Sequence, residues 1–175
     1  MQKTARSDAV YRLIQKALAA LDNDARESLL LNWWGIDDSD EMFSLLSKEM
    51  QHLLITNDEP PSDVQNPLYD ELLLIALRSE YKGVTNLYLS SQMKKMGFGE
   101  HQVLGLIELM EVCPCCGYRT LSSRANYDIC DLCKWEDNGI TDPEQYSGPN
   151  HMTLGEAKET FSKNMNVLPL DKWAI

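Results

Sequence analysis

The sequence predicts a mainly α protein, built as an N-terminal helical bundle, then a small β-hairpin module and a C-terminal helix. Three observations support this prediction. Apolar residues recur at helical spacing through residues 1–112. All five cysteines lie between Cys113 and Cys133, and a Thr-x-x-Glu helix-start pattern follows at Thr153. We therefore expect two domains, a helical one over residues 1–112 and a cysteine-centred one over residues 113–175.

The composition is that of an ordinary globular protein with an excess of acid. The chain has 175 residues, of which 43% are hydrophobic and 25% charged, so neither disorder nor a fibrous repeat is indicated. Its 16 basic and 27 acidic residues give a formal net charge of -11, of which 10 basic and 18 acidic residues precede the predicted boundary. This charge disfavours nucleic acids and anionic membranes as partners and favours a basic protein.

We expect a cytoplasmic protein. The longest apolar run, residues 72–77, is far shorter than the roughly 20 residues that span a bilayer. The first eight residues are followed by no apolar stretch typical of a signal peptide. In a reducing compartment the cysteines are not expected to form a disulfide framework.

The first two helices follow from apolar spacing and caps. The first carries its apolar residues on one face of a 3.6-residue period. These residues are Val10, Leu13, Ile14, Ala17, Leu18 and Leu21. The second is predicted to begin after the cap candidates Asp22, Asn23 and Asp24 and to end at Gly35.

Two further helices are predicted on either side of a proline pair. The third is expected to begin at Ser39 as the N-cap, and Pro60 and Pro61 break the chain after it. The fourth follows Pro67, contains the apolar run 72–77 and is closed by Gly83.

Two short helices complete the predicted bundle, at residues 84–96 and 100–111. In the second of these, the apolar face consists of Val103, Leu106, Ile107 and Met110. No β structure beyond isolated fragments is expected in residues 1–112.

Four of the cysteines have the spacing of a metal site. Two CxxC pairs, Cys113 with Cys116 and Cys130 with Cys133, are separated by 13 residues. Two such turns complete the tetrahedron of a structural zinc site, with sulfurs about 2.3 Å from the ion. We expect a zinc-ribbon-like module in which strands at 118–121 and 127–129 form a hairpin. Gly117 suits the tight turn under the metal.

The cysteine pattern leaves alternatives open. Four thiolates also suit iron, as in a rubredoxin-like site, and CxxC pairs also serve in thiol-disulfide exchange. Two copies favour a metal, and Cys115 is expected to stay unligated. A four-thiolate site has no position for substrate, and no catalytic motif is found in the chain, so we expect no enzyme. The three histidines are expected at the surface or at caps: His52, His101 and His151.

A possible partner-binding patch lies before the predicted third helix. Exposed aromatic residues beside charge are typical interface anchors. The candidate residues are Trp33, Trp34, Asp37, Asp38, Asp40 and Glu41. The alternative is that at least one of the two tryptophans belongs to the core.

The chain is predicted to end in a helix and an apolar tail. Thr153 and Glu156 match a capping box, and Leu154, Ala157 and Phe161 form the apolar face. The tail at residues 167–173 is apolar enough to dock on the bundle.

Three stretches together resemble one family. They are CPCCGYRTL from Cys113, ICDLCKWED from Ile129 and DPEQYSGPNHMTLGEAKETF from Asp142. They are similar to the bacterial cysteine-rich CPCC family. Residues 68–99 also resemble the helical segment that precedes the ribbon in some members.

The resemblance implies a binding function. Members look like small cytosolic proteins without an established enzymatic activity, and some resemble immunity proteins encoded beside polymorphic antibacterial toxins. The implied partner is the C-terminal domain of a cognate toxin, such as an ADP-ribosyltransferase or a nuclease, whose active site would be covered. The alternative is a zinc-ribbon adaptor or a nucleic-acid-binding or transcription-associated module. That function needs basic residues around the ribbon, yet residues 113–175 carry six basic and nine acidic residues.

Overall fold

The computed structural model describes residues 2–175 and is mainly α, as predicted. Within these residues the chain forms six α-helices and three two-stranded sheets. It divides into two compact units. One is Ser7–Lys82, and the other combines the N-terminal segment ending at Arg6 with Gly83–Ile175. Over the same residues 2–175, no helix combines the length and apolar character needed to cross a bilayer.

The helical unit contains four helices, of which the second and third begin at a side-chain N-cap. They are α1 (Arg6–Ala20), α2 (Asn23–Trp33), α3 (Lys48–Thr56) and α4 (Asp70–Ser79). The side chain of Asp22 accepts a hydrogen bond of 2.9 Å from the amide of Ala25, which confirms the predicted N-cap of α2. The predicted fourth helix begins as a short 3-10 turn at Pro67–Tyr69 and continues as α4.

The core of this unit lies between α2, α3 and α4. Its buried residues are Leu30, Trp34, Phe43, Leu46, Met50, Leu54, Tyr69, Leu72, Leu73 and Ile75. Trp34 packs edge-on against Tyr69 with ring centroids 5.9 Å apart, and its indole N–H donates to the carbonyl of Asn57 at 2.8 Å. Arg26 is also buried, and it donates to the carboxylate of Asp70 at 2.7 Å. These contacts fix α2 against α4.

The predicted start of the third helix is wrong. Ser39 does not cap a helix; its hydroxyl donates to the carboxylate of Asp37 at 2.6 Å. A 3-10 helix at Glu41–Leu45 follows, and Leu46 then returns to an extended conformation. The cap of α3 is Ser47, whose hydroxyl accepts from the amide of Met50 at 3.2 Å. The apolar spacing was continuous across this break, so it did not reveal the second cap.

The other unit contains a parallel pair of strands that the sequence did not predict. Strand β1 (Gln2–Ala5) pairs in parallel with β2 (His101–Leu104), in the register Thr4 to Val103. Helix α5 (Asn86–Lys95), capped by Thr85, packs on β2. The predicted helix at 84–96 is thereby confirmed.

The predicted helix at 100–111 is wrong, and so is the expectation that residues 1–112 contain no β structure beyond isolated fragments. Residues of β2 alternate between buried and exposed, with His101 and Val103 inside. The backbone of β2 is bonded to β1, almost 100 residues earlier, and Gly105 ends the strand with φ of 143°. Local apolar periodicity carries no information about such a distant partner.

Short strands flank the cysteines and lead to the last helix. They are β3 (Glu111–Val112), β4 (Arg119–Leu121), β5 (Tyr146–Ser147) and β6 (Met152–Thr153), followed by α6 (Leu154–Asn164). The capping box of Thr153 and Glu156 is present, as predicted. Leu154, Ala157 and Phe161 are buried on α6, also as predicted.

The predicted hairpin between 118–121 and 127–129 is wrong. β4 pairs antiparallel with β3, and Ile129 makes an isolated bridge with Glu136. The reason is that each CxxC turn reverses the chain. The segments on either side of the same turn are therefore brought together, rather than segments from different turns.

The compact units do not divide at residue 112. The β3–β4 pair crosses that position, and Arg119 donates to the carbonyl of Met110 at 3.1 Å. The C-terminal tail packs in the same unit: Trp173 is buried and bridges to Val84, and the amide of Arg119 donates to Ala174 at 2.8 Å. Residues 83–112 thus belong to the body that carries the cysteines.

Candidate metal centre

The sulfurs of the four predicted ligands meet at one point. The Sγ atoms of Cys113, Cys116, Cys130 and Cys133 all lie within 4.8 Å of one another. The Sγ distance is 3.6 Å between Cys113 and Cys133 and 3.7 Å between Cys116 and Cys130. A tetrahedron with metal–sulfur bonds of about 2.3 Å requires sulfurs about 3.8 Å apart, whereas a disulfide requires about 2.05 Å. The four cysteines therefore fit one metal ion.

The two CxxC turns have the same backbone hydrogen bonding. In each, the carbonyl of the first cysteine accepts from the amide four residues later, and its own amide donates to the carbonyl five residues later. The bonds are Gly117 N to Cys113 O, 2.9 Å; Cys113 N to Tyr118 O, 2.9 Å; Lys134 N to Cys130 O, 2.8 Å; and Cys130 N to Trp135 O, 2.8 Å. This repeated turn directs both sulfurs of each pair to the same side.

The turn requires a left-handed residue after its second cysteine. Gly117 has φ of 80°, which fits the role predicted for it. Lys134 occupies the equivalent position with φ of 64°. Sequence reasoning missed Lys134, although its position, four residues after the first cysteine of its pair, matches that of Gly117.

The sulfur of Cys130 accepts two hydrogen bonds from groups other than the ligand sulfurs. The hydroxyl of Thr120 donates to its Sγ at 2.9 Å, and the amide of Cys133 donates at 3.4 Å. Both Thr120 and Cys130 are buried. Hydrogen bonds to a thiolate stabilise its charge and hold the ligand in place. The role of Thr120 was not predicted, because a threonine in a strand carries no signal for it.

The sulfurs cannot all ionise without a cation. Hydrogen bonds with the other three ligand cysteines, together with burial, raise the pKa of Cys116. Hydrogen bonds from those same neighbours lower the pKa of Cys130, which acts as the acceptor. Without an ion, the cluster thus favours a thiolate at one cysteine and thiols at the others, because like charges at this spacing repel. A divalent cation reverses this preference, since a coordinating thiol is deprotonated.

A buried carboxylate ties the loop between the two turns to the chain that follows them. Asp137 is fully buried and accepts from Arg124 Nε at 2.7 Å, from the Ala125 amide at 2.8 Å and from the Gly139 amide at 3.3 Å. Burial alone would raise the pKa of Asp137, but these hydrogen bonds outweigh it and lower the pKa. The sequence pattern did not identify this carboxylate, since Asp137 stands in an apparently exposed polar turn.

Cys115 lies beside the centre. It is buried and is not one of the four clustered cysteines. With Trp135 and Phe161 it lines a cavity of about 570 Å³. The buried indole N–H of Trp135 has no acceptor in the part of the chain that the structure describes.

The predicted partner patch is only partly exposed. Trp34 belongs to the core, and Trp33 is half-buried against it, so the alternative prediction of a core tryptophan is confirmed. The four acidic residues of the patch are exposed: Asp37, Asp38, Asp40 and Glu41.

The surface position expected for all three histidines is wrong for His101. It is buried; its Nδ1 lies 2.6 Å from the hydroxyl of Thr4 and its Nε2 lies 3.0 Å from the carbonyl of Phe98. His52 and His151 are exposed, as expected. Through residues 2–175, the described metal-capable cluster contains cysteines alone.

Comparison with known families agrees with the cysteine motifs. Residues 111–165, less than a third of the chain, match the family described as Cysteine-rich CPCC. The matched range does not include residues 68–99, although a resemblance of that segment to the same family was also predicted. No curated protein and no solved structure matches the chain.

Proposed function

We propose that the protein is a cytoplasmic immunity protein that binds a basic toxin domain and blocks its active site. The observation that carries this proposal is the distribution of charge between the two units. The helical unit Ser7–Lys82 contains 15 acidic and 6 basic residues, a net charge of -9. The rest of the chain contains 12 acidic and 10 basic residues, a net charge of -2. A basic partner would therefore be attracted to the helical unit.

Several acidic residues of the helical unit are available to a partner. Asp37, Asp38, Asp40 and Glu41 are exposed in one short segment. Within the same unit Arg26 is buried and bound to Asp70, so it offsets little of the surface charge. Such a surface accelerates association with a basic protein and makes the rate sensitive to salt.

The metal centre supports a structural role in this proposal. We infer that the ion is zinc, held by Cys113, Cys116, Cys130 and Cys133. Four thiolates leave no coordination position for a substrate. The ion would hold the two turns together, and the protein would act by binding rather than by catalysis.

The resemblance to the CPCC family supplies the kind of partner. Some members resemble immunity proteins, and the family match covers the cysteine-bearing segment. The helical unit lies outside that match, so we assign the recognition of a particular toxin to it.

The test uses the product of the neighbouring gene. We expect that product to co-purify with this protein and to kill cells from which this protein has been deleted. Survival of the deleted cells would refute the immunity function. The absence of a complex between the purified proteins would refute the proposed mode of action.

A matched pair of charge reversals tests the role of the helical unit. Glu41 lies on the helical unit and Glu144 on the other, and both are exposed. We expect Glu41→Lys to slow association with the toxin domain by about tenfold at low salt, while Glu144→Lys has a smaller effect. Equal effects of the two substitutions would assign recognition to another surface.

A further inference from the structure

The segment after β2 exposes a row of aliphatic side chains. We call residues 104–109 the leucine loop. Leu106 is 95% exposed and Leu109 84% exposed, and Leu104 and Ile107 are also on the surface. Leu87, at the start of α5, is 77% exposed. It adjoins Asn86, whose side-chain amide donates to the carbonyl of Gly105 at 2.8 Å, so Leu87 lies near the leucine loop.

The leucine loop is held firmly from inside the unit. Its single charged residue, Glu108, accepts from Arg6 Nη2 at 2.6 Å and from the amide of Gly83 at 3.1 Å. Arg6 is itself buried, and its Nη1 donates to the carbonyl of Val84 at 2.6 Å. The bond from Asn86 to Gly105 adds a second attachment. The loop is therefore preorganised, and a partner would bind it at little cost in conformational entropy.

The apolar side chains of the loop stay on the surface instead of packing in a hydrophobic core. Their spacing predicts a buried helical face, yet β2 takes the preceding residues into a sheet and leaves Leu106 on the surface. A monomeric soluble protein rarely exposes more than a few hundred Å² of contiguous apolar surface, and larger patches mark contact sites. At their observed exposures the five side chains present on the order of 500 Å² per chain, the size of a typical monomer's largest apolar patch, which is often functional. Their burial would be favourable.

We propose that the leucine loop is the contact surface of a homodimer. Its occupant has to be apolar and uncharged, because the surface is aliphatic and the carboxylate of Glu108 is bound to Arg6. The basic partner proposed above gains nothing from such a surface, whereas a second copy of this chain offers the same one. Two copies related by a two-fold axis would bring the loops together.

The dimer is expected to be weak. Pairing two such surfaces would bury about 1,000 Å² in total, which is the lower limit for a specific interface. The unit that carries the loop has a net charge of only -2, so repulsion between the paired units is small. We expect a dissociation constant of about 10 µM. The inference does not depend on the immunity function.

Sedimentation of the full-length, metal-bound protein tests this proposal. From about 1 µM to about 1 mM, wild-type protein should pass from monomer to dimer. Leu106→Glu and Leu109→Glu, made separately, should each weaken the dimer at least about 100-fold, because each charge enters the interface twice. The control is Leu31→Glu, an exposed leucine of the helical unit, which should leave the dimer unchanged. Circular dichroism and metal content should match wild type in every variant.

Three outcomes would overturn the homodimer. Sedimentation of wild-type protein as a monomer throughout this range would leave the loop to a different partner. A dimer that persists in both Leu106→Glu and Leu109→Glu would form through another surface. Equal weakening by Leu31→Glu would show that added negative charge, rather than the loop, controls association.

Discussion

Gly117 and Lys134 give the two CxxC turns the same left-handed backbone. A residue with a Cβ atom is strained in this conformation by roughly 1–2 kcal/mol, and glycine is not. The turn of Cys130 accepts this strain at Lys134, and the turn of Cys113 avoids it. Because lysine rarely adopts a positive φ, only the glycine could be predicted from the sequence.

Replacing Gly117 should therefore destabilise the unit that carries the cysteine cluster. A Cβ at this position would meet no atom within 4 Å, so the expected loss for Gly117→Ala is backbone strain alone, about 1–2 kcal/mol. The control is Gly148→Ala in the same unit, where a Cβ also meets nothing within 4 Å and φ is not in the left-handed range. Chemical denaturation of both variants measures the difference. Equal losses would contradict the strain explanation.

Asp137 contributes stability that depends on pH. Its carboxylate is buried with three donors, so Asp137→Asn should cost about 3 kcal/mol at pH 7. The folded-state pKa is below the unfolded one, so this stability is complete above about pH 5 and declines as pH falls through the folded-state pKa. The difference in unfolding free energy between wild type and Asp137→Asn should therefore shrink towards acid pH. Protonation of the thiolates affects both proteins and cancels in the difference.

The exposed Asp131 provides the control for Asp137. Asp131→Asn should change the unfolding free energy by less than about 0.5 kcal/mol at any pH from 7 down to about 2. A penalty for Asp137→Asn that stays constant from pH 7 down to about pH 2, below the usual aspartate pKa, would show that packing of the side chain, rather than its charge, accounts for the loss.

At the scale of elements, the helices with local signals were predictable and the strands were not. The caps Asp22 and Thr153 are visible in the sequence because a cap and its acceptor amide lie within three residues. The pairing of β1 with β2 joins residues almost 100 positions apart. β3 and β4 pair because the Cys113 turn brings them together, and the same turn makes the β-hairpin predicted at 118–121 unattainable.

The contact between Thr4 and His101 should stabilise the parallel pair. Both side chains are buried, with the hydroxyl of Thr4 2.6 Å from Nδ1 of His101. Thr4→Val keeps the shape of the side chain but leaves that nitrogen without a partner, which should cost about 1–3 kcal/mol. Hydrogen exchange of the β2 amides should accelerate accordingly. Lys3→Val, on the exposed face of the same strand, should not accelerate it; if it does so equally, the hydrogen bond is not the cause.

At the scale of the whole molecule, the two units are stabilised by different means. The helical unit has an apolar core formed by residues between Leu30 and Ile75, and none of the four clustered cysteines belongs to that unit. In the other unit, the segment from Glu111 to Asp137 depends on two short turns joined at four sulfurs. The clustering of the four cysteines was predictable because CxxC spacing is local. The division into units was not predictable, because it depends on the distant pairing of β1 with β2.

Removal of the metal should therefore disorder one segment and spare the helical core. A structural ion contributes folding free energy directly, so loss of the ion should expose residues 111–137. Two adjacent cysteines provide a matched pair: Cys116→Ser removes a ligand, whereas Cys115→Ser changes a neighbouring buried thiol outside the cluster. Hydrogen exchange measured by mass spectrometry should show lost protection at 111–137 for Cys116→Ser and for chelator-treated wild type, with α4 still protected. Cys115→Ser should retain one ion per chain and wild-type protection.

Simultaneous loss of protection in α4 would show that the metal supports the whole chain. Loss of the ion in Cys115→Ser would place the fifth cysteine among the ligands.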